Sequence, residues 1–276
     1  MSRLVMPTNV VAVRGDRRLE LPEQLAAEEP MEIRVAGPGD EPTALGVTMR
    51  TPGHDFELAA GFLRSEGVVA SDADISSVRY CDVPPGEEQR FNVVTVRLTR
   101  PAALEGVQRA SSITASCGVC GTATLDQLRR RCDPLPPGPS VAISTILGLP
   151  DVLRSAQQVF DQTGGLHAAG LADADGTSVM VREDVGRHNA VDKLVGRSLL
   201  DGALPLLDRV LVVSGRVSFE IVQKAALAGL PVIAAVSAPS SLAVTTARDL
   251  GITLVAFIRP PRANVYSHPE RVDFAR

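Results

Sequence analysis

Cys117 and Cys120 lie three residues apart in the run Ser112-Ile113-Thr114-Ala115-Ser116-Cys117-Gly118-Val119-Cys120-Gly121, and they are two of only four cysteines in 276 residues. Their neighbours are small or hydroxylated and bury little apolar surface, so these thiols are expected to be reachable, unlike inert cysteines in a core. Two thiols at this spacing can hold a metal, form a disulfide, or carry sulfur as a persulfide.

Each chemistry needs a different setting. A four-cysteine zinc site would have to recruit Cys81 and Cys132, and only one pair has ligand spacing. Zinc deaminases add an upstream His-x-Glu, which the chain lacks. A thioredoxin-like dithiol opens a helix after a strand, and Arg109–Ser116 is a poor strand. A persulfide carrier needs an exposed thiolate. An ordinary thiol, with pKa ~8.5, is only a few per cent ionised at pH 7, and lowering it by about one unit raises that fraction several-fold. The hydroxyls of Thr114 and Ser116 and nearby amides are placed to do this.

Three further clusters have the residue types to bind an anion. Val212-Val213-Ser214-Gly215-Arg216-Val217-Ser218 and Val236-Ser237-Ala238-Pro239-Ser240-Ser241 both leave an apolar strand and enter a helix. Free amides and the helix dipole there attract phosphate, and Arg216 adds a charge. Ordinary capping by Ser218 and Ser240 is the plainer alternative. The second cluster joins Asp161–His167 to Glu183-Asp184-Val185-Gly186-Arg187-His188-Asn189. In it His188 falls in line with Val191 and Val195, with Asp192 one turn away, so a core histidine tied to a carboxylate competes with a site. The third is Phe257, Ile258, Arg259, Pro260, Pro261 and Arg262, where two guanidinium groups flank a proline turn. Arginines after a last strand are also common solvated surface.

Elements that could position these groups follow from periodicity. Asn9–Arg14, Met31–Ala36, Ala44–Met49 and Arg90–Leu98 read as strands, and Asp55–Ser65 as a helix ending near Gly67. The cysteine segment, a helix-like Leu125–Arg131 and the stiff Pro134–Pro139 run come next. Helices at Pro150–Phe160, Gly186–Leu200, Ser218–Ala228 and Ser240–Leu250 then alternate with strands at 167–172, 178–182, 209–213, 231–236 and 252–258. Apolar strands alternating with helices predict a largely parallel sheet covered on both faces. The fold class is therefore α/β, with a β-rich domain over 1–110, a cysteine loop and linker over 111–140, and a second domain over 141–276.

Composition narrows the function. Aromatics are 3% of the chain and tryptophan is absent, so Val, Leu, Ile and Ala must do most of the packing. A net charge of −4 argues against a protein that coats nucleic acid. No apolar run approaches the ~18 residues of a membrane span. The N-terminus lacks the features of a secretory signal, so a cytoplasmic location is expected.

Ser116–Gly121, Thr163-Gly164-Gly165-Leu166-His167, Glu183–Lys193, Ser214-Gly215-Arg216 and Asn264-Val265-Tyr266 occur in this order. Together they closely resemble the FdhD/NarQ family of formate dehydrogenase accessory sulfurtransferases, from about residue 10 to the C-terminus. The resemblance implies a cytidine-deaminase-like three-layer C-terminal domain without the zinc site, and no structural metal. It implies that sulfur passes from an IscS-like cysteine desulfurase, as a persulfide, to the bis-molybdopterin guanine dinucleotide molybdenum cofactor of formate dehydrogenase. Cys117 would then bear the persulfide and Cys120 would assist or resolve it. Phe257–Arg262 matches the family's cofactor-binding stretch, with Pro260 and Pro261 where a more Gly-rich or polar turn is usual. Ser214, Gly215, Arg216 and His188 are the further candidate contacts. The resemblance also implies a homodimer. The rival reading is a non-catalytic cofactor chaperone, and a zinc-dependent hydrolase is a third.

Overall fold

A computed structural model of the protein describes residues 4–82, 88–102, 133–177 and 179–275. Cys117, Cys120, Cys132 and the helix expected at Leu125–Arg131 lie outside them. The described chain starts with an antiparallel ribbon, β1 (Val5–Arg14) and β2 (Arg17–Ala26), that joins no other sheet among the described residues. A four-stranded sheet follows, built from β3 (Glu29–Ala36), β4 (Thr43–Arg50), β5 (Ile75–Tyr80) and β6 (Val93–Leu98) in the order β4-β3-β6-β5. Helix α1 (Asp55–Ser65) covers one face, packing Leu58, Ala59, Phe62 and Leu63 against Ile33, Val35, Val94 and Val96.

A short β7 (Val141–Ala142) pairs parallel with Val272–Asp273, and the second sheet holds six strands, β8 (His167–Asp173), β9 (Val179–Asp184), β10 (Arg209–Val213), β11 (Val232–Ala235), β12 (Thr253–Arg259) and β13 (Arg262–Ser267). Their order is β13-β12-β11-β10-β8-β9. Only β10, β11 and β12 run parallel, and an antiparallel hairpin closes each side. The expectation of a largely parallel sheet therefore holds for its centre alone. At one side the short 174–178 connection forces β8 and β9 antiparallel. At the other, β12 turns at Pro260-Pro261 and returns as β13, which the proline pair had hidden in the sequence.

Alternation along the central strands sorts the two faces. Leu211, Val213, Ile233, Ala235 and Leu254 meet α4 (Arg187–Leu200), α5 (Phe219–Ala228) and α6 (Ser241–Asp249). Val210, Val212, Val232, Ala234 and Val255 meet Ile146, Leu149 and Leu153 of α2 (Ile143–Ser155). A short α3 (Gln158–Thr163) follows, so the single helix expected over 150–160 is two, and Pro150 lies inside the first. The sheet clusters contain no buried phenylalanine or tyrosine among the described residues, in keeping with the aromatic-poor composition.

Helix α4 joins the two halves. Ala190, Val191, Leu194 and Val195 face the six-stranded sheet, whereas Leu199 belongs to the α1 core, so the apolar stripe expected on one face serves two clusters. At the crossing with α1 a Cβ on Gly196 would overlap the Glu57 carbonyl, and one on Gly61 the Asp192 carbonyl. Polar clamps flank this contact. Arg182 grips Glu57 through both carboxylate oxygens at 2.6 and 2.9 Å. Burial pushes the Glu57 carboxyl up, but hydrogen bonds from His54 and Arg182 prevail and hold it at about 2. Ser65 donates to Asp192 at 2.7 Å. The proline run is also seated, with Leu135 N–H on the Leu250 carbonyl at 2.9 Å.

The crossing makes an opposed-sign prediction. Helix propensity alone favours Ala over Gly by about 1 kcal/mol, whereas overpacking costs about 1–3 kcal/mol. Gly196→Ala should lower the urea midpoint; an unchanged or raised midpoint would show that the helices do not approach this closely.

Candidate functional site

The candidate edge is where the parallel strands β10, β11 and β12 reach their carboxyl ends. Their exits are laced together by backbone bonds. Val217 N–H donates to Ala238 O at 3.1 Å, Ser240 N–H to Val217 O at 2.9 Å, and Phe257 N–H to Ser237 O at 3.2 Å. Ser214, Ser237 and Phe257, far apart in sequence, thus share one rim. Ser240 caps α6 by accepting from Ala243 N–H at 3.2 Å, as the plain reading expected. Ser218 occupies the N-cap of α5 but makes no side-chain cap bond. Its hydroxyl lies 3.0 Å from His188 Nε2 instead.

His188 does not pair with Asp192 as its helical position suggested. Its Nε2 approaches Glu220 Oε2 at 2.9 Å, while Asp192 holds Lys224 at 2.7 Å and Ser65. Glu220 is drawn below the usual carboxylate range chiefly by the His188 hydrogen bond, against burial. Ser218 and Glu220 both address the same imidazole nitrogen. A Ser-His-carboxylate relay requires the carboxylate on the opposite nitrogen, so this trio does not activate Ser218 as a nucleophile. Glu220 was missed in the sequence; the signal was an acidic first-turn residue two positions after Ser218.

His167 opens β8 beside this group. Gly215 leaves room for it, since a Cβ there would stand 3.2 Å from His167 Nδ1 and 3.7 Å from the Arg187 Cβ. Burial, reinforced by the charges of Arg187, His188 and Arg216, lowers the His167 pKa, and only Asp184 opposes this. The shift favours the neutral form of the imidazole. Arg187 Nε is buried without a hydrogen-bond partner among the described residues. Ser214 is committed to the sheet, its hydroxyl accepting from Ala168 N–H at 2.9 Å. Arg216 is exposed at the same turn.

The block 183–193 is mostly a structural device. Asp184 and Lys193 form a 2.7 Å ion pair whose side chains are 0% and 1% exposed. Lys193 also donates to Thr51 O at 2.9 Å, and Asp184 accepts from Thr51 N–H at 3.2 Å and Gly186 N–H at 2.8 Å. Asn189 donates to Met49 O at 2.8 Å and to Asp184 at 3.0 Å. Glu183 receives the amides of Val159 and Phe160 at 2.9 and 2.8 Å. Only Arg187 and His188 of this block reach the rim.

The β12–β13 turn adds the last group. Phe257 has φ 52°, beside a register shift between the strands, and its ring is 39% exposed. Ile258 is buried, its side chain turned into the α2 core rather than toward the rim. Arg259 and Arg262 face each other across the hairpin, flanking a cis Pro260–Pro261 bond. Both are exposed and make no hydrogen bond or ion pair among the described residues. Four arginines, two helix N-termini and the His167 imidazole therefore gather at one edge of a protein whose net charge is −4. Such an edge suits a ligand with several phosphates.

Comparison with known proteins matches this architecture. The FdhD/NarQ family model covers residues 26–273. The chain belongs to the FdhD/NarQ family. A relative from Mycolicibacterium paratuberculosis, named sulfur carrier protein FdhD, is 52% identical over 95% of this chain and 97% of its own. One of the same name from Streptomyces coelicolor is 49% identical over 99% and 97%. The crystal structure of a candidate formate dehydrogenase accessory protein from Desulfotalea psychrophila superposes with a TM-score of 0.76, covering 98% of this chain and all of that one at 26% identity. Elsewhere in this FdhD/NarQ chain, Cys81 packs with its thiol 3.0 Å from Thr95 Oγ1. No helix among the described residues is long and apolar enough to cross a membrane.

Positive φ at Phe257 gives a test of strain at the rim. A Cβ is disfavoured there by about 1 kcal/mol, so Phe257→Gly should be more stable than Phe257→Ala by roughly that amount although both lose the ring. Equal thermal midpoints would mean that residue 257 relaxes to negative φ.

Proposed function

We propose that this protein is a sulfur carrier for formate dehydrogenase. It takes sulfane sulfur on Cys117 from an IscS-like cysteine desulfurase and passes it to the bis-molybdopterin guanine dinucleotide molybdenum cofactor held at the rim. The observation that carries this reading is the rim itself, where Arg187, Arg216, Arg259 and Arg262 make no ion pair among the described residues beside two helix N-termini. Membership of a family whose relatives are named sulfur carriers supports the chemistry. Within this reading the C-terminal half is a cytidine-deaminase-like domain without the deaminase zinc site, since no His-x-Glu precedes the Cys117/Cys120 pair, and the protein works as a cytoplasmic homodimer.

The transfer balances as follows. The Cys117 thiolate attacks the terminal sulfur of the desulfurase persulfide; one S–S bond forms, another breaks, and the desulfurase leaves as a thiolate. Cys120 then attacks Cys117 Sγ, releasing hydrosulfide to the molybdenum and leaving a Cys117–Cys120 disulfide. A thiol reductant must reopen that disulfide before the next cycle. At the rim, the arginines and helix amides bind the phosphates of the substrate, and the Phe257 ring offers an apolar face to a base.

Intact-mass measurement after incubation with an active desulfurase and cysteine tests the carrier step. A reductant-reversible gain of about 32 Da, one sulfur, is expected on wild type and on Cys120→Ala but not on Cys117→Ala. No gain on any form would leave a cofactor-binding chaperone as the better reading. Guanosine diphosphate binding tests the rim separately. Arg259→Ala/Arg262→Ala should weaken it by about a hundredfold or more, from the loss of two charge-assisted bonds worth about 1.5–3 kcal/mol each. Unchanged affinity would remove those two arginines from the site.

A further inference from the structure

The rim holds two histidines, and the structure engages only one of them. His188 Nε2 is taken by Ser218 at 3.0 Å and by Glu220 at 2.9 Å. The His167 side chain makes no hydrogen bond or ion pair among the described residues. Its ring is half-buried, yet its nitrogens are not sealed from solvent. Half-burial strips water from the ring without supplying a protein partner, a cost that a ligand would offset.

A second polar group in the same condition stands beside it. Arg187 Nε is buried and has no hydrogen-bond partner among the described residues. One point in space, the Cβ position of Gly215, lies 3.2 Å from His167 Nδ1 and 3.7 Å from the Arg187 Cβ, so the two side chains are neighbours. Gly215 is not among the glycines of positive φ. Its backbone therefore does not demand glycine, whereas the imidazole beside it does. The turn between β10 and α5 is cut back at the place where His167 and Arg187 meet.

The charges that face the ring select what it can hold. Arg187 and His188 approach from α4, Arg216 from the turn after β10, and Asp184 from β9, where it is the cross-strand partner of His167. Asp184 is answered by Lys193 at 2.7 Å, and His188 by Glu220. The balance left at the ring is positive, which repels a metal cation and draws an anion. A phosphate presents oxygens in several directions and can accept from the guanidinium and the imidazole together.

We propose that His167, rather than His188, is the ligand histidine of the rim, engaging a phosphate oxygen as an imidazolium together with Arg187. The inference rests on the reading of the rim as a phosphate site and deepens it. No covalent bond to the ligand forms or breaks; one proton passes from solvent to the imidazole as the anion enters. Burial and the adjacent cations favour the neutral ring in the free protein, and the charge of a phosphate offsets those cations. Binding therefore takes up a proton.

Titration calorimetry of the full chain with diguanosine diphosphate is the test. This probe is a pyrophosphate diester with no proton of its own to exchange near neutral pH. Two buffers of different ionisation enthalpy then count the protons that the protein takes up. Wild type should take up a substantial fraction of one proton between about pH 6 and about pH 8. His167→Gln keeps an N–H donor but cannot become cationic, so it should bind about tenfold more weakly or worse at about pH 6 and take up none. His188→Gln/Glu220→Gln, which removes the engaged pair together, should keep the uptake. Gly215→Ala, whose Cβ crowds the ring, should weaken binding as well. If wild type fails to bind the probe, the phosphate reading of the rim falls and this proposal with it. Wild-type binding without proton uptake, uptake that survives His167→Gln, or uptake lost with the His188/Glu220 pair overturns this proposal alone.

Discussion

The buried pair of Asp184 and Lys193 is the constraint from which the rim takes its shape. Two charges removed from water cost several kcal/mol each unless their remaining hydrogen-bonding capacity is filled. Here the filling comes from the other half of the molecule, because Thr51 gives its N–H to the carboxylate and its carbonyl to the ammonium. Breaking the contact between halves would leave both charges incompletely satisfied. The pair thereby fixes where β9 ends and where α4 begins. Arg187 and His188 follow three and four residues after Asp184, so their position is inherited from that lock.

The same logic explains why α4 is almost wholly buried. One stripe faces the six-stranded sheet, a second faces α1 through Gly196, and its polar residues Asn189, Asp192 and Lys193 tie down β4, α1 and the exit of β9. Only its first turn is left for a ligand. The β-rich half is thus a buttress for the first turn of α4. A concavity lined by Glu29, Glu88, Arg90 and Phe91 lies on the β-rich half, away from the strand ends and without their converging cations.

Most elements were legible because their patterns are local. Asp55–Ser65 forms the expected helix, and the apolar runs of the second half fall within a residue or two of the observed strands. What periodicity could not supply was partnership. The direction of β8 and β9 depends on a short connection, and β13 was hidden by prolines that permit a hairpin as readily as a stop. β2 carries Arg17, Arg18, Glu20, Glu23 and Pro22, so it lacks an apolar signature and is a strand only because β1 pairs with it. At the site, Ser214–Arg216, Phe257 and the arginines were legible by residue type. That Ile258 turns inward, and that His188 chooses Glu220 over Asp192, are facts of packing between α4 and α5 that no spacing within α4 contains.

The electrostatics of the rim favour capture of an anion over its permanent neutralisation. Asp184 sits close enough to influence His167, yet its charge is already answered by Lys193. Glu220 answers His188 in turn. Arg187, Arg216, Arg259 and Arg262 make no ion pair among the described residues. His167 responds to that imbalance, since burial and the surrounding positive charge hold its pKa below the ordinary imidazole value. A phosphate group entering the rim would offset the neighbouring charges and raise it again. Linkage then requires that binding take up a proton in that interval, so affinity for a phosphorylated ligand strengthens as pH falls from the higher pKa of the complex toward the lower one of the free protein.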